Sequence, residues 1–172
     1  MTEKTVALWL VKYTPQGPVV LLQQRAETEK IDGKIVPQSN PFYCQPAMNG
    51  KVERGETIAF AIVRELTEEL GPNFVSHYVP DKPEESEPFY TQQFPYKGHT
   101  MTGYNFFMRV NEKQLRLIRL HSGAKPLLIG VTREDLKAGK IKKKGDEGAD
   151  PREHIVLFPD QYEALIELFQ II

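Results

Sequence analysis

One uninterrupted helical stretch constrains this chain more than any other feature of its sequence. Residues 57–70 contain neither glycine nor proline, and Gly71-Pro72 supplies a stop signal directly after them. At about 100° per residue, the apolar side chains fall within one arc of the helix and three glutamates share a neighbouring arc. The apolar residues are Ala59, Ile62, Val63, Leu66 and Leu70, and the glutamates are Glu65, Glu68 and Glu69. The pattern therefore predicts a helix with a core face and a carboxylate face.

The carboxylate face of this helix requires a counter-charge. Glu65, Glu68 and Glu69 stand at positions i, i+3 and i+4, so their side chains meet on one helical surface. Like charges at that spacing repel each other, and a bound cation relieves the repulsion. Oxygen ligands without histidine or cysteine suit a hard divalent cation, above all Mg²⁺, with Mn²⁺ as an alternative. Because Mg²⁺ also accepts substrate phosphates as ligands, the cluster indicates phosphate chemistry.

The residues just before the helix fit the same kind of site. Glu56 and Arg64 flank its first turns, and an ion pair between them would fix the loop to the helix and orient the carboxylates. Gly50 and Gly55 permit a tight loop, so the backbone carbonyl of Asn49 is a candidate further metal ligand.

Strand-like segments lie on both sides of the predicted helix. The turn residues Pro15, Gly17 and Pro18 separate the first two and predict a hairpin. A short helix capped by Thr132 and a final helix capped by Asp160 and running through Leu168 are also predicted. The strand candidates are residues 5–13, 19–25, 89–94, 104–110, 115–120 and 127–131, and the predicted loops are residues 26–45, 79–88 and 139–153. This mixture predicts an α/β or α+β fold in a single domain spanning residues 1–172.

The composition excludes several other classes of protein. The 22 Lys and Arg residues balance 23 Asp and Glu residues, which argues against a protein built to grip nucleic acid or an anionic membrane. The single cysteine, Cys44, excludes an internal disulfide framework. The apolar run from Val6 to Val11 is far too short to span a membrane. A cytoplasmic protein without a membrane partner or a stable nucleic-acid partner is therefore expected.

The stretch from Gly50 to Gly71 resembles the Nudix box, G-x5-E-x7-R-E-U-x-E-E-x-G-U, in which U is an apolar aliphatic residue. Every specified position through Gly71 matches, and only the final U departs, because Pro72 stands there. Many family members carry Pro-Gly-Gly just before the box, whereas this chain reads Ala47-Met48-Asn49 ahead of Gly50. Bulkier side chains at these positions predict a narrower substrate pocket or a shifted loop.

The resemblance implies an α/β/α sandwich with a mixed central sheet and the hydrolysis of a nucleoside diphosphate linked to another group. The implied metal ligands are Glu65, Glu68, Glu69 and the Asn49 carbonyl, and the implied catalytic set is Glu65, Glu68, Arg64 and Glu56. Arg25 and Gly50 are the implied substrate contacts. The general base is Glu65 in some Nudix families, whereas in others it comes from a distant loop, for which Glu147 and Glu153 are the candidates. The resemblance also allows a homodimer.

Two residues beyond the box bear on the substrate. Pro88 lies 16 positions after Pro72, as in ADP-ribose hydrolases of this family, and Tyr90 lies 18 positions after it, as in dinucleoside polyphosphate hydrolases. ADP-ribose or a nucleotide sugar is therefore ranked first and dinucleoside polyphosphates second, followed by nucleoside triphosphates and RNA caps.

Alternatives of other classes stay open at the level of sequence. The glutamates are also compatible with a solvated acidic helix face, or with a nucleotide-binding Nudix module that has no activity. Isopentenyl diphosphate isomerases share the fold and use a cysteine, a role that only Cys44 could fill here. The basic run from Lys140 to Lys144 fits either a solvated loop or a segment that steers a polyphosphate.

Overall fold

The computed structural model describes residues 3–78 and 87–172, so most of the loop predicted at residues 79–88 lies outside the described residues. The strands are β1 (Glu3–Thr14), β2 (Gly17–Gln24), β3 (Thr28–Ile31), β4 (Lys34–Pro37), β5 (Cys44–Pro46), β6 (Met48–Lys51), β7 (Tyr90–Tyr96), β8 (His99–Val110), β9 (Ile129–Val131), β10 (Ile141–Lys143) and β11 (Ile155–Leu157). The helices are α1 (Ile58–Leu70), α2 (Pro72–Tyr78), α3 (Glu112–Leu115), α4 (Arg133–Lys137) and α5 (Pro159–Ile171).

A mixed sheet organises the described residues. Its order is β5-β2-β1-β8-β7, with β6 also paired to β1 and β9 to β2. The pairing of β1 with β8 is parallel, and the other pairings in this sheet are antiparallel. β1 and β2 form the predicted hairpin, in which Thr14 stands opposite Gly17.

Side-chain alternation along β1 divides the hydrophobic core in two. Val6, Leu8 and Leu10 pack in a cluster with residues of α1, whereas Trp9 and Val11 pack in a second cluster with residues of α5. Because successive strand residues point to opposite faces, α1 and α5 cover the two faces of the sheet. The architecture is the α/β/α sandwich with a mixed sheet that the sequence predicts.

The helix predicted over residues 57–70 is present as α1, with Thr57 as its N-cap. The Thr57 hydroxyl accepts a hydrogen bond from the Phe60 backbone N–H at 3.2 Å. Gly71 ends the helix at φ +91°, a conformation that side-chain-bearing residues rarely adopt. The Leu70 carbonyl at this end accepts the Arg119 N–H at 2.8 Å.

Four local predictions are wrong. Residues 115–120 are not a strand, because the chain forms the short helix α3 and then continues without a ladder. The segment 26–45 is not all loop, since β3 and β4 pair within it. The segment 139–153 is not all loop either, because it contains β10. Asp160 is not the cap of α5, whose N-cap is Phe158.

No helix among residues 3–78 and 87–172 is long and apolar enough to cross a lipid bilayer.

Candidate active site

Strand β6 and helix α1 bring the box residues together. β6 pairs antiparallel with β1, so that Asn49 stands opposite Ala7 and Gly50 opposite Val6. The chain then turns at Gly55, where φ is +86°, and enters α1. This loop is compact because the Glu53 backbone N–H donates to Glu56 Oε2 at 2.9 Å. The loop-helix unit therefore places the start of the box against the carboxylate face of α1.

Arg64 joins the loop, the strand and the helix. Its Nε donates to Glu56 Oε1 at 3.0 Å and its Nη2 to Glu56 Oε2 at 2.9 Å, the two-point pairing characteristic of Arg with a carboxylate. The same Nη2 donates to the Lys51 carbonyl at 2.8 Å. Arg64 Nη1 donates to Glu65 Oε1 at 2.7 Å and lies 3.6 Å from Glu68 Oε2. The ion pair expected from the sequence is present, and Arg64 also holds Glu65 in place.

Gly50 leaves space for the Glu65 carboxylate. A Cβ atom built on Gly50 would lie 1.8 Å from Glu65 Cδ and 2.0 Å from Oε1, far inside van der Waals contact. No other residue fits at this position without moving Glu65. The backbone conformation of Gly50 is not left-handed, so close approach is the structural reason for a glycine here.

The carboxyl groups of α1 differ in their surroundings. Burial raises the pKa of Glu65, although its contacts with Arg64 oppose the shift. Burial also raises the pKa of Glu69 to about 8, and the charge of Glu65 adds to the shift, while a backbone hydrogen bond from Asn49 opposes it. The buried Glu69 Oε2 has no hydrogen-bond partner among the described residues. Glu68 is the most exposed of the three.

This donor set fits a hard divalent cation. Three carboxylates lie on one helical face, and a buried carboxylate oxygen without a partner is costly unless a ligand satisfies it. Among residues 3–78 and 87–172, no three acidic, histidine or cysteine side chains already converge in a metal-binding arrangement. Glu68, which is exposed at the surface, would therefore have to turn toward Glu65 and Glu69 to gather the three carboxylates around an ion.

A cavity of about 350 Å³ opens beside the box. Asn49, Gly50 and Lys51 form the part nearest α1. The other walls come from the end of β7, from the first residues of β8, from the start of α5 and from the loop before β5. They contain Phe94, Pro95, Tyr96, Met101, Phe158, Pro159, Asp160, Gln161, Ser39 and Asn40.

Arg25, the expected substrate contact, lies in this cavity wall. Its Nη1 is 3.4 Å from Gln45 Oε1, and Gln45 donates in turn to the buried Gln23 Oε1. The Nε of Arg25 is buried and has no partner in the described part of the chain. A guanidinium group held by neutral amides keeps its full charge for an anionic ligand.

The two distant base candidates lie elsewhere. Glu147 and Glu153 are exposed in the loop after β10, and neither is among the described residues that line the cavity. Lys144 from the same loop does reach the rim, where it donates to Asn40 Oδ1 at 2.7 Å. Lys140 instead pairs with Asp135, and Lys142 contacts backbone carbonyls of the loop.

Cys44 is fully buried in the core, and burial raises its pKa to about 12. A thiol that is inaccessible and protonated at neutral pH is a poor catalytic group. Its surroundings therefore weigh against a cysteine-dependent isomerase.

Sequence reasoning missed the wall formed by Phe158, Asp160 and Gln161. These residues read as the start of an amphipathic helix, and only the fold brings that start to the cavity. The one available signal is the polar Asp160-Gln161 pair directly after Phe158-Pro159, which in the sequence indicates only a helix cap.

The sequence model of the NUDIX domain matches residues 3–125, well over half of the chain. The chain therefore belongs to the NUDIX domain family. This family assigns the protein to the pyrophosphohydrolases, enzymes that generally use divalent metal ions.

Solved structures agree on the fold. A possible asymmetric diadenosine tetraphosphate hydrolase from Jonesia denitrificans is 18% identical, with 99% of this chain and 94% of that chain covered at a TM-score of 0.56. A MutT/nudix family protein from Enterococcus faecalis is 18% identical, with 99% and 62% covered at 0.61. The NUDIX domain of Shewanella oneidensis NrtR, solved with ADP ribose, is 14% identical, with 99% and 88% covered at 0.54. No curated protein sequence matches the chain.

Proposed function

We propose that this protein is a Mg²⁺-dependent hydrolase that cleaves the P–O–P linkage of a nucleoside diphosphate joined to another group. One observation carries the proposal: the carboxylate face of α1, with the unpartnered Glu69 oxygen, lies beside the Asn49–Gly50 segment that lines the cavity. A substrate held in this cavity would present its phosphates at the edge where the carboxylates gather. The proposed metal ligands are Glu65, Glu68, Glu69 and the Asn49 carbonyl.

Each residue of the box has a separate task in this proposal. A bound Mg²⁺ would neutralise the diphosphate and lower the pKa of the attacking water. Arg64 holds Glu65 through one N–H and Glu56 through two, which fixes the carboxylates before substrate binds. Arg25, which lines the same cavity, would contact a phosphate oxygen. Attack at phosphorus depends mainly on such positioning and charge neutralisation.

Glu65 is the general base that the geometry supports best. Its carboxylate lies against Gly50, at the boundary between α1 and the cavity. In the metal-free protein, burial raises the pKa of Glu65 against the opposing contacts with Arg64. Glu147 and Glu153 are exposed and do not line the described cavity, so a role for either would require their loop to move.

ADP-ribose and nucleotide sugars are the substrates we place first. The volume of about 350 Å³ falls within the range of small-molecule sites, roughly 300–1,000 Å³. The Shewanella oneidensis NUDIX domain of the same fold was solved with ADP ribose. Pro88 gives the same ranking from the sequence.

Dinucleoside polyphosphates are the second candidate, and Lys144 is the observation that favours them. No carboxylate of the described residues pairs with Lys144, which sits at the cavity rim beside Asn40. Its ammonium group lies over the rings of Tyr43 and Phe158 without a carboxylate partner in the described part of the chain, so its charge can still attract the longer phosphate chain of such a substrate. The Jonesia denitrificans relative is described as a possible diadenosine tetraphosphate hydrolase.

The test is a panel of nucleotides incubated with the purified protein and Mg²⁺, with products separated by chromatography. The panel contains ADP-ribose, nucleotide sugars, diadenosine polyphosphates, nucleoside triphosphates and capped RNA. We expect cleavage of one group, abolished by a chelator and restored by Mg²⁺, with Mn²⁺ as a partial substitute. Absence of any product from the folded protein would overturn the proposal in favour of a nucleotide-binding module.

A further inference from the structure

The start of α5 forms one wall of the cavity. Phe158, Pro159, Asp160 and Gln161 all line the cavity there. α5 is a 13-residue helix packed on the sheet through buried residues such as Ala164, Leu165 and Leu168. This wall is therefore attached to the core and not to a loose loop, which suits a recognition surface.

Gln161 is the unexplained residue of this wall. Only 6% of it is exposed, and its Oε1 atom is buried with no hydrogen-bond partner among the described residues. Burying an amide oxygen without a partner costs free energy, so this atom needs a donor from outside the described residues, such as an ordered water or a ligand. Because Gln161 also lines the cavity, a molecule bound there would supply the missing donor.

Asp160 supplies a second acceptor next to Gln161. Burial raises the pKa of the Asp160 carboxyl group, and the nearby backbone N–H groups of Asp160 and Gln161 at the start of the helix oppose that shift. The backbone carbonyl of Asp160 accepts a hydrogen bond from Gln92 Nε2 at 2.7 Å, which ties this turn to β7. A carboxylate has about four acceptor positions, so capacity remains for a ligand.

Phe158 adds an aromatic surface to the same wall. Its ring stacks on Tyr43, with centroids 5.4 Å apart and an angle of 27° between the planes. Lys144 lies over both rings, 4.9 Å from the Phe158 centroid and 5.2 Å from that of Tyr43. The ring is thus held on one side by other residues, while Phe158 still lines the cavity.

We propose that Phe158, Asp160 and Gln161 form the base-binding site and select a purine with two adjacent N–H donors, as in guanine, over adenine. A planar heterocycle would pack on Phe158 while the two acceptors read its edge. Guanine places its ring N–H beside its amino group, so both acceptors find a donor. Adenine places an acceptor nitrogen beside its amino group, so one buried acceptor would face another acceptor.

This inference rests on the proposed function only in placing a nucleotide in the cavity. The phosphates would point toward Asn49 and Gly50, and the base toward α5, across the same cavity. It narrows the first-ranked substrates to guanine-containing nucleotide sugars, and among the later candidates it favours capped RNA, whose terminal base is a guanine.

The experiment compares the binding of GDP and ADP to the full chain by isothermal titration calorimetry, with a chelator present to prevent turnover. We expect GDP to bind about tenfold more tightly than ADP or better, the typical effect of a lost hydrogen bond to a charged acceptor. In Asp160→Asn and Gln161→Leu the ratio should fall toward one. Glu163→Gln removes the same charge from an exposed position of α5 and should keep the ratio.

Turnover is measured in parallel with GDP-glucose and ADP-glucose and Mg²⁺. The two variants should raise KM for GDP-glucose without an equal fall in kcat, because they act on the base and not on the reacting phosphorus. Circular dichroism checks that each variant folds. If Asp160→Asn does not fold, Gln161→Leu alone provides the test.

Equal affinity for GDP and ADP, or a preference for ADP, would overturn the base assignment even if the enzyme hydrolyses nucleotide sugars well. A GDP preference lost in both variants would support it even if the protein showed no hydrolysis. The base assignment and the proposed reaction are therefore tested separately.

Discussion

At the scale of single residues, the box is a set of contacts around Glu65. Gly50 leaves space for its carboxylate, and Arg64 donates to it at 2.7 Å. Arg64 is itself fixed by Glu56 and by the Lys51 carbonyl. The motif therefore has a structural explanation. Gly50, Arg64 and Glu56 position the carboxylate of Glu65, next to which Glu68 and Glu69 lie on the same helix.

Replacing Gly50 with alanine should reduce turnover strongly with little loss of folded protein. The added methyl group would lie 1.8 Å from the Glu65 carboxyl carbon, so Glu65 must move by about an ångström or more. Displacement of that size costs about 100-fold in rate. Steady-state kinetics on the purified variant measure the effect. Gly139→Ala is the control: its φ of +70° makes alanine strained, yet no other atom is nearby, so it should lower stability and spare activity.

Replacing Arg64 with lysine tests whether the geometry of the guanidinium matters beyond its charge. Lysine cannot make the two-point contact with Glu56 and also reach Glu65. We expect metal affinity or turnover to fall by about 10–100-fold, as is usual for groups that orient metal ligands. Metal titration by calorimetry and kinetics would show the loss. Unchanged values would mean that the charge alone suffices.

Cys44 should neither react with alkylating reagents in the folded protein nor take part in hydrolysis. Because burial raises its pKa to about 12, the thiolate is scarce until the pH approaches that value, and the side chain has no access to solvent. Iodoacetamide at pH 8 should label it only in denaturant, as mass spectrometry can determine. Cys44→Ala should keep the hydrolysis rate within about twofold and cost about 1 kcal/mol of stability. Loss of activity in this variant would revive the cysteine-dependent mechanism.

At the scale of secondary-structure elements, the sequence was most informative where local signals agree. Thr57, the periodicity of α1 and Gly71 predict the same helix, and the structure contains it with those limits. The segment after β8 was misread because Leu115, Leu117, Ile118 and Leu120 pack against the core beside α1 without joining a ladder. The apolar residues of this segment correctly indicate burial. The capping box of Asn111 and Gln114, however, begins the short helix α3 in place of a strand.

The N-cap of α1 offers a test that separates stability from catalysis. Thr57→Ala removes the hydroxyl that accepts the Phe60 N–H and should lower the free energy of unfolding by about 1 kcal/mol. Denaturant titration measures this change. Because Arg64, Glu56 and the Lys51 carbonyl still join the loop to the helix, kcat should change by less than about threefold. A fall comparable to that of the Gly50 variant would show that the cap itself positions the glutamates.

At the scale of the whole molecule, the site joins elements that are far apart in the sequence. The box could be located from its residues alone, because the proposed metal ligands lie within one loop and one helix. The cavity wall at the start of α5 could not be located from the sequence. Phe158 to Gln161 line the same cavity as Asn49 only because α5 packs on the face of the sheet that α1 does not cover. Arg25 was predictable only in part. Its position directly after β2 indicated a substrate contact, but the sequence did not give its distance from the box.

The acidic cluster on α1 affects the stability of the whole fold, because one of its carboxyl groups, that of Glu69, is buried. Burial and the charge of Glu65 raise the pKa of Glu69 to about 8, so the metal-free fold favours the protonated group. An uncharged glutamine at this position should therefore leave the fold at least as stable. The proposed catalysis, in contrast, would require the charged form of Glu69 with a bound cation.

The most direct test of the central claim is the hydrolysis rate of Glu69→Gln and Glu68→Gln at saturating Mg²⁺, compared with Glu53→Gln. Glu53 is an exposed glutamate at an unspecified position of the same box, so its replacement removes an equal charge. We expect the two ligand variants to lose at least about 100-fold in kcat, more than groups that only orient ligands, and Glu53→Gln to retain the wild-type rate. Wild-type rates in both ligand variants would contradict the assignment of α1 as the catalytic metal site.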